Sequence, residues 1–467
     1  MKALLFALLM GCFESAPKKP DVMVVVLDTV RADRLGTYGA KRPTSNQLQA
    51  VADAGVQFTD VTTSGTWTWP SHAALFTGEP PWISGAHWSK SAAEVDPSSG
   101  YWKMSPLRDE FPTLAEKFSA AGYRTVSLSA NSLLDPKLGL TRGFERAVWL
   151  ETDELVLADA KQVLSDQDER PLFLFVNLMA AHAPYTVATE VPWSHRHSER
   201  IQAASETDWL HVYSADRDPP ALALNFRPGP EQRTGEEAYA RGDLKLSPED
   251  RSLIEDLYDG ELVRLDKAMV ELIRAWNDYG HSDGVVAITS DHGEYLGEHG
   301  LIGHGIRAFT EVTRVPMVLA APGRLDPGVQ VETPIQLRDL YATLLDLSGV
   351  EEGATGSLVP VIAGGPRPGP IVSRAWPVPV FAKNVGEPYT LGHRLYREGD
   401  DAVVVRDDGE AFLYNVKTDP QMLRPRTDDV SPWVKRAMAA IPDDPGAGSL
   451  QIPEEALQQL RALGYVQ

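Results

Sequence analysis

Cysteine occurs once in the 467 residues, at position 12. That scarcity excludes an internal disulfide framework and any zinc site built from CxxC pairs. Basic residues are short too: 44 Lys and Arg stand against 65 Asp and Glu, a formal net charge of −21. Nucleic-acid binders draw their affinity from surplus Lys and Arg, so a nucleic-acid partner is not expected. Beyond the first dozen residues no apolar run is long enough to span a bilayer, and there is no internal repeat. A hydrophobic fraction of 43% with 8% aromatics is ample for a packed core, so wholesale disorder is excluded as well. The length suits one large domain with an appendage, or two to three domains.

Lys2 and the short apolar run Ala3 to Met10 lead into Leu9-Met10-Gly11-Cys12. The run fits the apolar region of a signal peptide rather than a spanning helix. Leu and Gly at −3 and −1 from the only cysteine resemble a bacterial lipobox, with Met10 unusual at −2. Residues 1–20 are therefore expected to be a lipoprotein-type signal peptide and tether. A lipid on Cys12 would anchor an extracytoplasmic protein to a bacterial membrane, in the periplasm or at the cell surface. A plain secretory leader is the alternative.

Val22 to Leu27 is a continuous apolar run, the mark of a parallel strand buried on both faces. Similar runs lie at Thr125–Ser129, Leu172–Leu178, Val285–Thr289 and Val315–Ala321. Amphipathic helical stretches separate them: Ser45–Ala54, Pro112–Ala121, Ser247–Tyr279 and Leu337–Leu347. Ser247-Pro248 is a good N-cap and first-turn pair. The alternation implies an α/β sandwich with a mostly parallel sheet over residues 21–350. Residues 186–246 break the rhythm and are expected to form an insertion near the active face. Trp193, His195, His197, Trp209 and Arg217 within it are expected to shape the pocket, with mere packing the alternative for its Trp and His residues. Residues 351–467 read as a small α+β subdomain, with strands near Val403–Arg406 and Ala411–Val416 and a last helix over Glu454–Leu463.

Ligands in open α/β sheets bind beyond the carboxyl ends of the strands. Asp28 follows the first strand, Asp291 and His292 follow Val285–Thr289, and His182 follows Leu172–Leu178. Two carboxylates and an imidazole form a mixed O/N set suited to zinc or manganese. Each of the three has a bland reading as a helix cap or a packed core residue; together, at separate strand ends, they point to a metal. The stretch Thr66 to Gly78 reads as a loop entering a helix with Pro70 at its first position and Thr68 at or just before it. That helix start offers free N–H groups to an anion. Thr68 is either a simple cap or a nucleophile, which needs a metal or base to activate it.

These residues lie within ordered motifs that resemble the sulfatase family of the alkaline phosphatase superfamily from residue 21 onward. The motifs are Asp28 to Gly39, Thr68 to Gly78, Pro112-Thr113-Leu114-Ala115, Gly122 to Thr125, His182 to Tyr185, and Tyr258-Asp259-Gly260-Glu261 leading to Asp266. Ser290 to Gly300, followed by His304 and Arg314-Val315-Pro316, is the most specific, and Leu413 to Pro420 resembles the family's last β-hairpin. The resemblance implies that family's α/β sandwich and an ester hydrolase. Several positions depart from it. Thr68 stands where sulfate-ester hydrolases of the family place the cysteine or serine that becomes formylglycine. His72 replaces an arginine, Thr29 a second aspartate, and His292 a metal-site asparagine. Ser129-Ala130-Asn131-Ser132 stands where a Lys-Trp-His element is usual. What is left is similar to single-metal phosphoethanolamine and lipoteichoic-acid transferases, with their Thr nucleophile and a further His twelve residues past the Asp-His pair, here His304. A second Asp-x-x-x-His ligand set is not found, so one divalent ion is expected, zinc or manganese favoured and calcium an option.

The expected chemistry is thus cleavage of phosphate mono- or diesters, or transfer of the phosphoryl group, with Thr68 as nucleophile and Asp28, Thr68, Asp291 and His292 on the metal. His304 and His182 would stabilise equatorial or leaving-group oxygens, His72 and Asn131 would fill the space of the missing cationic residues, and His299 is either substrate-binding or a structural partner of Glu298 or a backbone carbonyl. The substrate would be an anionic ester, in lipid or glycan headgroups near the anchor. Two other readings stand beside this one: a sulfatase that works without formylglycine, and a surface binding protein that keeps only the scaffold.

Overall fold

The computed structural model describes residues 19–88, 104–202, 211–213, 221–223, 239–377 and 389–443. Cys12 and its leader, Trp209, Arg217 and the expected Glu454–Leu463 helix lie outside these residues. Among the described residues no helix is long and apolar enough to cross a membrane.

Nine strands form the central sheet: β1 (Val22–Leu27), β2 (Val56–Thr62), β3 (Arg124–Ser129), β4 (Arg146–Trp149), β5 (Leu172–Leu178), β6 (Val285–Thr289), β7 (Arg314–Ala320), β8 (Val329–Val331) and β9 (Ile335–Gln336). The order is β8-β2-β7-β6-β1-β5-β3-β4, with β9 also pairing β2. Only β7 runs antiparallel to its neighbours. In β1, Val22, Val24 and Val26 join one apolar core, and Met23, Val25 and Leu27 join the other. Cover on both faces is why the strand is apolar at every position.

Helices α1 (Asn46–Asp53), α2 (Thr68–Thr77), α3 (Leu114–Ala120), α4 (Asp153–Ser165), α5 (Pro248–Asp278) and α6 (Asp339–Leu347) flank the sheet. Helix α5 begins with a capping box in which Ser247 Oγ accepts from Asp250 N and the Asp250 carboxylate accepts from Ser247 N. The Asp266 carboxylate, from the middle of α5, accepts from the first N–H groups of α1 at Gln47 and Leu48.

The C-terminal part is a four-stranded antiparallel sheet, β10 (Ile371–Ala375), β11 (His393–Glu398), β12 (Asp401–Arg406) and β13 (Ala411–Asn415), with α7 (Ser431–Ala440) packed against it. It is tied to the central sheet by Arg397 on Asp60 of β2, at 2.6 Å, and by Gln336 Nε2 donating to Val372 O at 2.8 Å.

Of the insertion, the short helix Pro192–His195 lies on α5, and Arg200 of Ser198–Gln202 pairs with Asp250 of α5. His197 meets Asp256 at 2.7 Å and the Arg42 guanidinium lies 5.4 Å from the Trp193 ring. These two residues hold the insertion down.

Candidate metal centre and active site

β1, β5, β3 and β6 run parallel side by side, so their carboxyl ends open on one edge. Asp28 leaves β1 there, Asn177 is the penultimate residue of β5, Asn131 follows β3, and Asp291 and His292 follow β6. All five are fully buried.

Each of three side chains is anchored by one atom and presents the other. Asp28 Oδ2 accepts from Asn131 Nδ2 at 2.8 Å and from Asn177 Nδ2 at 3.2 Å. Asp291 Oδ1 accepts from the backbone N–H of Thr29 and His292, at 3.3 and 2.9 Å. His292 Nδ1 lies 2.9 Å from Gly293 O; a carbonyl only accepts, so Nδ1 carries the proton and Nε2 keeps its lone pair. The atoms left over, Asp28 Oδ1, Asp291 Oδ2 and His292 Nε2, are buried with no hydrogen-bond partner. They converge: His292 Nε2 is 3.4 Å from Asp291 Oδ2 and 4.0 Å from Asp28 Oδ1. Two ligands at 2.0–2.1 Å from a tetrahedral ion stand roughly 3.3 Å apart, so a divalent cation fits this group. Among the described residues this is the one cluster of acidic, His or Cys side chains with ligand atoms so arranged.

The electrostatics agree. Burial, with Asp291 next to it, raises the Asp28 carboxyl above the usual carboxylate range, and burial pushes Asp291 up to about 7. Burial, with His304 adding, pushes His292 down to about 3. Two carboxylates packed together without a cation are costly; a divalent ion reverses that cost.

Thr68 is the first residue of α2, and Asn131 Nδ2 donates to its Oγ1 at 3.2 Å. The Asn131 orientation is fixed, because Oδ1 accepts from Leu133 N at 2.9 Å. One amide nitrogen therefore holds both the Thr68 oxygen and the Asp28 carboxylate. The helix starts two residues earlier than Pro70 suggests, which places Pro70 third in α2. Proline is accepted there because the first turn's N–H groups have no intrahelical acceptor.

His72 lies one turn along α2. Its Nδ1 is 3.0 Å from Thr68 O and 3.5 Å from Asp291 Oδ2, and its ring meets Phe76 and Phe175 edge-on. Burial keeps it below its ordinary pKa, so it is a neutral donor that fixes the first turn of α2. His304 Nδ1 is 2.9 Å from Glu294 Oε1, and Glu294 Oε2 accepts from Tyr185 OH at 2.8 Å. The His304 ring lies 4.5 Å from His292 and 5.0 Å from His182, and His182 Nδ1 donates to Ala183 O at 2.6 Å. Both histidines thus border the metal cluster. His299 is placed elsewhere: it stacks on Phe309 at 4.0 Å with its Nε2 3.3 Å from Glu311 Oε2. It thus faces Glu311 rather than Glu298, with no hydrogen bond to its Nε2 among the described residues.

Several residues of the site take roles that no motif announces. Asn177 is the lone polar side chain in the run LFLFVNL, and a buried polar group there demands a partner. Glu294 was visible only as part of a motif, not as the partner of His304. Thr29 adopts φ +59°, sparsely populated for a β-branched residue. It is held by its own Oγ1 on Asp28 O at 2.7 Å and by Tyr258 OH donating to Thr29 O at 2.8 Å. Gly293 has no side chain because a Cβ would stand 2.1 Å from Glu311 O.

Residues 20–350 match the family described as Sulfatase. The chain is 26% identical over 368 residues to an uncharacterised sulfatase of Escherichia coli K12, covering 72% of this chain and 69% of that relative. It shares its fold with a protein solved in complex with its substrate D-glucosamine-2-N,6-O-disulfate, at TM-score 0.68 and 17% identity, over 96% of this chain and 99% of the other. It also shares it with the phosphonate monoester hydrolase of Agrobacterium radiobacter, at TM-score 0.64 and 19% identity, over 95% and 96%. The chain belongs to the sulfatase family, ester hydrolases of the alkaline phosphatase superfamily.

Proposed function

We propose that this member of the family hydrolyses phosphate mono- or diesters with Thr68 as its nucleophile, in place of a formylglycine. The observation that carries the reading is the Asn131 amide, which sets Thr68 Oγ1 and the Asp28 carboxylate against one nitrogen. A threonine side chain is branched at Cβ and cannot yield the formylglycine aldehyde, so the hydroxyl itself has to attack.

A divalent ion held by Asp28, Asp291 and His292, zinc or manganese by the chemistry of these donors, supplies Lewis acidity that favours ionised Thr68 and a charged ester oxygen. Asn131 holds Thr68 Oγ1 as an acceptor, which leaves the hydroxyl proton free to depart. Thr68 Oγ1 attacks phosphorus in line as the bond to the leaving oxygen breaks. The hydroxyl proton passes to neutral His304 Nε2 and then to the leaving oxygen. Glu294, on Nδ1, steadies the transient imidazolium. Water next gives a proton to His304 and attacks phosphorus, and Thr68 takes that proton back as it leaves. His182 borders the same space, and His72 keeps Thr68 in place.

Sulfate-ester hydrolysis is the second reading, favoured by the matched family and by the relative described as a sulfatase. Turnover of an aryl phosphate, an aryl phosphodiester and an aryl sulfate, beside elemental analysis of the pure protein, separates them. The expected result is at least tenfold higher kcat/KM on a phosphorus ester and one zinc or manganese per chain. Turnover of the sulfate alone installs the second reading, and neither metal nor turnover leaves a binding protein. Cys12, the sole cysteine, supports a lipid anchor that would hold this chemistry at a membrane surface; Cys12→Ser should release the protein from the membrane fraction.

A further inference from the structure

Between the segment after His304 and the C-terminal sheet lies a partly open pocket of about 370 Å³, whose wall includes none of Asp28, Asp291 and His292. Arg307 and Phe309 enter it from the segment that follows His304. His393 of β11, Arg406 of β12, and Phe412 and Tyr414 of β13 face them. The volume is that of a small-molecule site.

Its polar groups are unequally satisfied. Arg406 pairs with Asp408 and Glu410. Arg307 makes no ion pair among the described residues, and its Nε is buried without a hydrogen-bond partner. His393, only 5% exposed, leaves Nδ1 buried without a partner as well. Burial first, then Arg307 and Arg406, push this imidazole down to about 3, so it adds no charge of its own at neutral pH. An unpaired guanidinium calls for an oxyanion, since its geometry matches a carboxylate or sulfonate fork, and neutral His393 can add a donor in its Nδ1–H tautomer. The rings of Phe309, Phe412 and Tyr414 offer apolar faces to the body behind such a head group.

We propose that this cavity binds a small organic monoanion, its carboxylate or sulfonate-type head on Arg307 and His393 and its ring among Phe309, Phe412 and Tyr414. The site is independent of the reaction at Thr68. Arg307 is nonetheless three residues from His304, within about 10 Å of chain, so its occupant sits against the loop that carries the catalytic histidine.

Calorimetry on the full chain with benzoate, benzenesulfonate and acetate tests this. One equivalent of benzoate or benzenesulfonate should bind, with acetate at least tenfold weaker because it lacks the ring. Arg307→Gln should weaken the aryl anions at least tenfold while thermal unfolding and basal ester turnover stay as in the parent. Phe412→Leu should weaken benzoate and leave acetate unchanged, which separates lost contact from misfolding. Protein stripped of metal by a chelator should bind as before. Binding that vanishes on chelation, or that Arg307→Gln leaves unchanged, would assign the anion to the metal centre and overturn the proposal, as would failure of both aryl anions to bind at millimolar concentration.

Discussion

Asn131 and Asn177 donate to the same oxygen of Asp28, but only Asn131 also reaches Thr68. Replacing each with alanine therefore isolates the Thr68 contact. Asn177→Ala removes one hydrogen bond to a buried carboxylate, which costs about 1.5–3 kcal/mol of stability, and also the acceptor for Ser129 Oγ at 3.2 Å. Asn131→Ala removes a similar bond and also the acceptor for Leu133 N, a cap that adds about 1 kcal/mol. Stability alone thus distinguishes them poorly. The chemical step should not. Loss of a donor to the oxygen on which charge develops typically lowers kcat by about 10²–10³, or 2.7–4 kcal/mol. The 3.2 Å contact to Thr68 Oγ1 sits at the long end of a hydrogen bond, so the lower figure applies. With saturating metal, kcat on an aryl phosphodiester should fall about 10²-fold in Asn131→Ala and by less than tenfold in Asn177→Ala. Unfolding curves and metal content measured on the same samples keep folding out of the comparison. Equal losses in the two variants, or a kcat within threefold of the parent in Asn131→Ala, would contradict a role for Asn131 at Thr68.

Glu294→Gln should act through His304: turnover of alkyl esters, which need a proton on the leaving oxygen, should drop at least tenfold more than turnover of nitrophenyl esters. Chelation should lower the melting temperature, because Asp28 Oδ1, Asp291 Oδ2 and His292 Nε2 lose their shared partner, and zinc or manganese should restore it in proportion to the logarithm of its concentration. Buried Glu261, which accepts from Thr186 N at 2.6 Å, has its carboxyl pushed up to about 7 from an ordinary 4.5. The folded state then keeps a proton that the unfolded chain releases, so stability falls as pH rises from 4.5 to 7, by about 3 kcal/mol. Glu261→Gln should flatten that part of the pH profile of unfolding; an unchanged slope would contradict it.

The parts of the fold that could be read in advance are those whose pattern is local. Val22–Leu27, Leu172–Leu178 and Val285–Thr289 are apolar at every position because both faces are covered, and the capping residues of α5 announce its start. The strand Val56–Thr62 escapes such reading. Its Gln57, Thr59 and Asp60 look like surface residues, yet each is paired across the chain, with Thr37 O, Val331 O and Arg397. The metal ligands were legible as polar residues just past strand ends. Their supports were not, since Asn177, Thr29 and Tyr258 act through contacts up to 262 residues away in sequence. His299 shows the reverse case: it lies within the most specific motif, but a left-handed backbone at φ +55° turns it onto Phe309 and Glu311.

The proposed reaction passes through a covalent bond to Thr68. Rapid-quench mixing of metal-loaded protein with a phosphodiester labelled at phosphorus, followed by digestion, measures that bond directly. Label should appear on the peptide containing Thr68 within the first turnover, decay as product forms, and be absent in Thr68→Ala, which should not turn over. Turnover without label at Thr68, or an active Thr68→Ala, would contradict it.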